Sequence, residues 1–285
     1  MKYAIIVPAH NEEAHLPRLV ESLLQQEALP EEIVLVDDNS SDTTPRIMKK
    51  FAAKHSFIRW VSHASFKEHR PGSKVVEAFN YGLKHLKAKV DVLVKLDADL
   101  ELPPAYFSQI IPYFQSSKLG IAGGYCYEKN DQGKWELNHP MHWDHVRGGF
   151  KAYRKDCFKA IGGLRPAMGW DTVDELLAQY YGYEVKAIKS LHVRHHRPLG
   201  ERYTSKAAIE QGKAFYQMRY GVLWSVLATV KGGWKKKSFF WFYHCLMGFV
   251  HAQQQALHYM VSPEEGKFIR TYRLKHLFKS MKKPS

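Results

Sequence analysis

The chain has 285 residues, is 45% hydrophobic and 13% aromatic, and carries 42 Lys+Arg against 28 Asp+Glu, a formal charge of +14. That length and apolar content can bury one large core with an appendage, and they exclude a disordered or fibrous chain. Cys126, Cys157 and Cys245 are widely spaced and odd in number, which argues against a disulfide framework and against a zinc site.

The first predicted element is a strand over residues 3–7, ending in Pro8-Ala9-His10-Asn11-Glu12-Glu13. Leu16, Leu19, Val20, Leu23 and Leu24 follow at i, i+3, i+4, i+7 and i+8, the stripe of an amphipathic helix. Pro17 sits near its start, where a missing N–H costs little. A second strand, 32–36, runs into Asp37-Asp38-Asn39-Ser40-Ser41-Asp42-Thr43-Thr44, dense in helix-capping side chains. A third strand, 58–61, leads through a loop to a helix over 75–86. Alternating strands and helices predict a mostly parallel sheet with helices on its faces, and ligands bind such sheets beyond the carboxyl ends of the strands. No G-x-G-x-x-G follows the first strand, which disfavours a dinucleotide fold.

The apolar run 90–96 predicts a fourth strand and delivers Asp97-Ala98-Asp99. If the strand persists, residues two apart share a face, so both carboxylates project to one side. Carboxylates held that close repel, and a hard divalent cation relieves the repulsion. An isolated D-x-D is more often a solvated acidic turn; here it closes an ordered series of polar clusters. Strands at 120–128 and 135–137 flank a turn over 129–134, and the segment 138–147 holds His139, His142, Trp143, Asp144 and His145. Irregular spacing makes that segment a loop rather than a second metal site. Gly169-Trp170-Asp171-Thr172-Val173-Asp174-Glu175 opens a helix patterned on Val173, Leu176, Leu177 and Tyr180. Carboxylates at a helix N-terminus are favoured by its dipole alone, which is the plain alternative to catalysis. An alternating strand at 185–188 precedes His192, His195, His196 and Arg197.

Charge divides the chain. Residues 1–196 hold 26 Lys+Arg against 24 Asp+Glu, a net of +2, whereas 197–285 hold 16 against 4, a net of +12. Helices are predicted at 207–220, 222–230 and 239–260. Gly232-Gly233-Trp234-Lys235-Lys236-Lys237 precedes Phe239-Phe240-Trp241-Phe242-Tyr243. The longest apolar stretch, 239–250, contains His244 and falls short of the roughly 18–20 residues a spanning helix needs. Aromatics beside lysines predict a monotopic contact with an anionic membrane surface. The alternative is aromatics packed on the N-terminal domain with solvated lysines. The N-terminus enters a strand without a signal-peptide apolar region. The expectation is a cytoplasmic protein resting peripherally on the inner face of the plasma membrane.

In order and spacing, Val7-Pro8-Ala9-His10-Asn11-Glu12-Glu13, Val36-Asp37-Asp38-Asn39-Ser40-Ser41-Asp42 and Leu96-Asp97-Ala98-Asp99 resemble the signature of family-2 glycosyltransferases with the GT-A fold. Gly72-Ser73-Lys74, Ala78, Asn80 and Gly82 are similar to the family's segment between the second and third motifs. Each motif alone is weak; their order makes the signal specific over roughly residues 1–200. The resemblance implies an α/β GT-A nucleotide-diphosphosugar transferase fold over residues 1–200, with a basic, aromatic-rich helical extension over 201–285. It implies metal-dependent, inverting transfer from a nucleotide-diphosphosugar, uridine-based by family frequency, to a glycan or lipid-linked glycan in cell-envelope polysaccharide synthesis.

The same resemblance implies roles. Pro8, Ala9 and Asn11 line the nucleoside pocket, Glu12 contacts the nucleoside or orders its loop, and Asp38 accepts from the base. Asp97 and Ala98 lie near the ribose or donor sugar, and Asp99 holds the metal, Mn²⁺ or Mg²⁺, with His195 as second ligand and His192 and His196 as alternatives. Arg197 reaches the diphosphate. Phe79 stands where relatives often carry a basic residue, leaving Lys74 for the phosphates. Asp37 has an equal reading as a helix cap. Counting back from Gly182-Tyr183 makes Asp171 the general base, with Asp174 as runner-up. Trp170 replaces the family's usual Glu and either stacks on an acceptor sugar or is buried at the helix start. Gly148-Gly149-Phe150 resembles the segment beside the donor sugar.

Other readings fare worse. A sugar-1-phosphate nucleotidyltransferase needs a Gly-rich basic loop where Pro8-Ala9-His10-Asn11 stands. A non-catalytic basic binder of membrane or nucleic acid explains the charge and not the acidic series, so no nucleic-acid partner is expected. A polyprenyl-phosphate sugar synthase remains as the alternative acceptor class.

Overall fold

The computed structural model describes residues 1–65, 72–137, 145–197 and 205–281. These partition into two compact units. The first takes in 1–65, 74–137, 145–166 and 181–197; the second takes in 72–73, 167–180 and 205–281.

The first unit begins β1 (Tyr3–Ala9), α1 (Leu16–Leu24), β2 (Glu32–Asp38), α2 (Thr44–Lys54), β3 (Ile58–His63), α3 (Ser73–His85) and β4 (Val92–Leu96). It continues through β5 (Leu100–Glu101), α4 (Tyr106–Ile110), β6 (Leu119–Lys129), β7 (Trp135–Leu137), β8 (Phe150–Arg154) and α5 (Lys155–Ala160). After α6 (Trp170–Tyr180), which belongs to the second unit, the chain returns as β9 (Glu184–His195).

The sheet runs β3-β2-β1-β4-β8-β6-β9-β5, with β7 on β6. β3, β2, β1 and β4 are parallel, as strand–helix alternation requires. From β8 onward the sheet is mixed: β8 is antiparallel to β4 and β6, β6 and β9 are parallel, and β5 is antiparallel to β9. β1 and β2 are buried along their whole length, the near-continuous apolar pattern of strands covered on both faces. At Gly82 a Cβ would come within 2.6 Å of Val36 and 2.7 Å of Ile6, so glycine lets α3 lie directly on β1 and β2. Buried Glu32 accepts from Arg59 at 2.7 Å and from the amides of Lys87 and Ala88 at 2.8 Å, fastening the α3–β4 connection to the sheet.

The loops after β1 and β2 each turn on a left-handed asparagine, Asn11 (φ 55°) and Asn39 (φ 60°), a region that asparagine tolerates better than most residues. β4 stops at Leu96, so Asp97-Ala98-Asp99 lies in a turn before β5. The alternation expected of a continuing strand therefore does not place these carboxylates; the turn does. The histidine segment, in turn, is the end of one long strand, since pairing with β6 and β5 carries β9 through His195.

The second unit holds α6, α7 (Ser205–Gln217), α8 (Gly221–Lys235), α9 (Phe239–Gln254) and α10 (Pro263–Met281). The helix expected at 222–230 continues through Gly232-Gly233, because a Cβ on Gly232 would strike the Trp241 ring at 2.3 Å: the glycine marks packing, not a break. The helix expected over 239–260 ends at Gln254, just before Ala256 takes a left-handed φ of 47°. α10 lacks an apolar stripe and was not expected, yet its start carries a capping box. The Ser262 hydroxyl accepts the Glu265 amide at 3.2 Å, and Glu265 accepts the Ser262 amide at 2.7 Å. No described helix is long and apolar enough to cross a membrane.

Candidate functional site

The β1 and β2 loops are laced together. Asn11 Oδ1 accepts the Ser41 amide at 2.8 Å, Glu13 accepts the Thr43 amide at 2.9 Å, and the Glu12 amide donates to the Thr44 hydroxyl at 2.8 Å. The Asn11 side chain thus shapes the loop that Pro8 and Ala9 enter. Asp37 is buried and accepts the Ser40 amide at 3.1 Å, which braces the turn after β2 rather than capping α2: that helix begins at Thr44, whose amide goes to Asp42 at 2.9 Å. Asp38 is buried beside it, with Oδ1 3.0 Å from His63 Nδ1 across the β2–β3 ladder.

At the end of β4, the two aspartates have different partners. Lys95, fully buried, donates to Asp97 and to the Gly148 carbonyl at 2.9 Å. The Asp97 amide donates to the Gly149 carbonyl at 2.8 Å, and a Cβ on Gly149 would lie 2.9 Å from Asp97 Oδ2. Asp99 is buried; its Oδ2 lies 3.2 Å from His195 Nε2 and 3.8 Å from Arg197 Nε, whereas Oδ1 is buried with no hydrogen-bond partner among the described residues. A buried acceptor left open is costly and marks a place where a further donor or cation belongs. The other face of His195 is fixed: Nδ1 lies 2.8 Å from Glu128 Oε1, which also accepts from Arg147 at 3.1 Å.

His196 instead sits 2.7 Å from Glu101 and is in contact with Arg18, while exposed His192 lies against Tyr127. Arg197 is half exposed and donates to Glu12 at 2.7 Å. Phe79, in place of a basic residue, is core and packs against Phe158. Lys74 is half-buried in the first turn of α3.

Electrostatics follow from this geometry. Burial pushes Glu12 up to about 6, with the Asp99 and Asp97 charges adding and Arg197 opposing. Burial acts to raise Asp99 as well, but the hydrogen bond and charge of His195, with Arg197, hold it below its ordinary value. Burial acts to lower His195, and the two flanking carboxylates, Asp99 and Glu128, raise it.

Among the described residues, two donor sets around His195 could hold a cation. Cys126, Glu128 and His195 converge within 4.8 Å, with Cys126 accepting from Arg147 at 2.9 Å and burial pushing its thiol up to about 11, so a thiolate there is disfavoured until a cation displaces its proton and its arginine. Asp99 with His195 fits better: among the described residues Asp99 Oδ1 is open, and with no cation His195 bridges Asp99 through Nε2 and Glu128 through Nδ1; a cation replacing the Nε2 proton would leave Nδ1–H on Glu128, the carboxylate–histidine arrangement that orients metal ligands. Glu128, Lys95 and Arg147 were missed in the sequence.

Asp171 and Asp174 lie on α6, in the second unit. Asp171 is half-buried in the first turn; Asp174 is buried, with Oδ1 accepting the Glu175 amide at 2.7 Å. Trp170 is buried at the helix start. His139, His142, Trp143 and Asp144 lie outside the described residues. A cavity of about 290 Å³ in the second unit, walled by Tyr216, Arg219, Phe249, Tyr259 and Arg270, contains none of the predicted site residues.

Residues 4–168 match the model of glycosyl transferase family 2, more than half of the chain. The chain belongs to that family. The family 2 chain is 33% identical over 116 residues to the undecaprenyl-phosphate 4-deoxy-4-formamido-L-arabinose transferase of Pectobacterium carotovorum, a match covering 39% of this chain and 32% of that protein. It is 31% identical over 99 residues to the 4,4'-diaponeurosporenoate glycosyltransferase of Staphylococcus haemolyticus, covering 35% and 24%. These matches span a third or less of the relatives' length. Among solved structures, it superposes on S. aureus TarS 1-349 in complex with UDP-GlcNAc with a TM-score of 0.59 at 19% identity, covering 79% of this chain and 66% of that one. It superposes on the mannosyltransferase PcManGT of Pyrobaculum calidifontis, in complex with GDP-Man and Mn²⁺, with a TM-score of 0.57 at 14% identity, covering 98% and 81%. The fold is thus the GT-A-type α/β fold with a mixed sheet and a C-terminal helical region.

Proposed function

We propose that this family 2 protein is an inverting glycosyltransferase that moves a sugar from a nucleotide-diphosphosugar, uridine-based, to a glycan or lipid-linked glycan of the cell envelope. The observation that carries the reading is the open, buried oxygen of Asp99 beside an oriented His195 at the end of β4, in a chain of this family. The printed names of the curated relatives, undecaprenyl-phosphate 4-deoxy-4-formamido-L-arabinose transferases and a 4,4'-diaponeurosporenoate glycosyltransferase, support it. A polyprenyl-phosphate acceptor is the second reading, favoured by the undecaprenyl-phosphate relatives.

The reaction breaks the bond between the anomeric carbon and the diphosphate and joins that carbon to the acceptor oxygen; the acceptor's proton passes to a base. Asp171 is assigned as that base from its place in the sequence, with Asp174 behind it. Asp99 and His195 would hold Mn²⁺ or Mg²⁺, which when bound supplies Lewis-acid neutralisation of the departing diphosphate. Glu128 would hold the remaining His195 proton on Nδ1 when Nε2 turns from Asp99 to the metal, and Arg197 brings a further positive charge to the phosphates. Asp38 reads the base within the Pro8–Asn11 pocket, Glu12 orders Arg197, Lys74 serves the phosphates, and Asp97 and Ala98 meet the ribose or sugar. The placement proposed is peripheral, on the cytoplasmic membrane face.

The test is calorimetric titration of UDP and of GDP with Mn²⁺ and with chelator. Binding of one nucleotide that chelator abolishes is the expected result; no binding of either by folded protein overturns the reading. A Gly149→Ala variant probes the Asp97 anchor. The added methyl would crowd Asp97 Oδ2, and a misplacement of that size is expected to lower turnover about ten- to a hundredfold with little change in melting temperature. Unaltered turnover would remove Asp97 from the reacting geometry.

A further inference from the structure

We infer that the α8–α9 hairpin is a monotopic membrane anchor that inserts its aromatic end into one leaflet of an anionic bilayer. The inference deepens the peripheral placement proposed above, and it rests on the second unit alone.

α8 is packed inside out for a helix in water. Its inward side carries Ser225, Thr229 and Gly233, at i, i+4 and i+8, all buried. Its outward side carries Leu223, Leu227, Val230 and Trp234, at i, i+4, i+7 and i+11, with Leu223 70% and Trp234 86% exposed. A water-soluble helix reverses that assignment. The buried hydroxyls are satisfied within the helix: Ser225 donates to the Gly221 carbonyl at 2.8 Å and Thr229 to that of Ser225. The neighbouring interface follows the same rule, because α7 and α9 touch backbone to backbone. A Cβ on Gly212 would lie 1.8 Å from the Cys245 carbonyl, and one on Gly248 would lie 2.1 Å from the Ile209 carbonyl. Small residues and hydroxyls between helices, with large apolar side chains facing out, is how helices pack when lipid is the solvent.

Length and charge select the lipid geometry. α8 and α9 have 15 and 16 residues, about 22–24 Å each, shorter than a hydrocarbon core of about 30 Å, so insertion stops within a leaflet. At the hairpin end, Trp234, Phe239 and Phe240 are 86%, 77% and 77% exposed, with Tyr243 exposed one turn on. Lys231 and Lys237 are exposed beside them, and Lys236 lies over the Trp241 ring at 5.5 Å. Residues 211–263 hold six Lys+Arg and no Asp or Glu. Protein interfaces deplete lysine at their core, whereas an aromatic tip collared by lysines matches the headgroup boundary of an anionic leaflet.

The test uses the full chain with vesicles of phosphatidylcholine alone and with 30% phosphatidylglycerol, read by flotation and by quenching of tryptophan emission with brominated lipid. Binding to the anionic vesicles, with quenching, is expected. A Trp234→Ser/Phe239→Ser/Phe240→Ser variant is expected to bind at least tenfold more weakly with its melting temperature kept. Changing Lys231 and Lys237 to Gln is expected to cost about fivefold per lysine at low salt and less at high salt. The inference is overturned if folded protein ignores anionic vesicles, if the triple variant binds as wild type does, or if sedimentation shows a dimer that shields Trp234 from quenching. Nucleotide titration of the same samples keeps this outcome separate from the fate of the transferase reading.

Discussion

Asp99→Asn is expected to weaken metal-dependent nucleotide binding at least a hundredfold and to reduce sugar transfer to near the limit of detection. Among the described residues, Asp99 is the acidic side chain of the cluster with a buried, unpartnered oxygen, and its second oxygen already lies between His195 and Arg197. Losing an outer-shell partner of a metal costs about 10–100-fold in affinity, so losing a ligand costs more. Asparagine keeps the volume and an acceptor while removing the charge, which spares the packing that alanine would empty. The measurement is nucleotide titration with Mn²⁺ alongside a thermal melt. Affinity within a few-fold of wild type would show that Asp99 holds nothing, and would shift attention to the Cys126–Glu128–His195 cluster. Glu128→Gln then serves as a graded control, expected between wild type and the Asp99 variant.

Asp171→Asn is expected to lower turnover about 10²–10⁴-fold while leaving nucleotide affinity unchanged, the separation that marks a general base. Asp171 is half-buried in the first turn of α6, where a carboxylate is favoured by the helix dipole. A purely stabilising role predicts a lowered melting temperature with near-normal turnover, so the two readings part on a single variant. Asp174 is the counter-example built into the same helix. It is buried and holds the Glu175 amide, so Asp174→Asn is expected to cost stability first. Normal turnover in Asp171→Asn together with lost turnover in a folded Asp174→Asn would exchange their roles.

The parallel half of the sheet and the ordered polar clusters were legible because they are local. β1, β2 and β4 are built on the apolar runs 4–7, 33–36 and 92–94, and each polar cluster lies at or just past the end of its strand. What was not legible comes from pairing at long range. Glu128 reaches His195 because β6 and β9 align them, and Lys95 reaches the Gly148 carbonyl because β8 returns beside β4. No spacing rule links residues 67 or 53 positions apart. Lys95 is also disguised, since a lysine two before an aspartate on a strand reads as a surface charge although this one is fully buried. α10 is a different failure. It has no apolar stripe to find, and its only signal was Ser262-Pro263-Glu264-Glu265, a capping box with proline at the first helical position.

Asp97 and Asp99 are neighbours by one alanine, and they are also joined the long way round. From Asp97 the path runs through Lys95 to the Gly148 carbonyl, along the chain to Arg147, across to Glu128, through the His195 ring and back to Asp99. A closed loop of this kind has few ways to deform, because moving any member stretches a contact on each side of it. The carboxylates are therefore held at a fixed separation before any ligand arrives, and little reorganisation is left for the moment of reaction. Double substitutions around the loop should be strongly non-additive, since the first break already releases the rest. The two aspartates are in effect a single mechanical part, framed by segments that the chain supplies far apart.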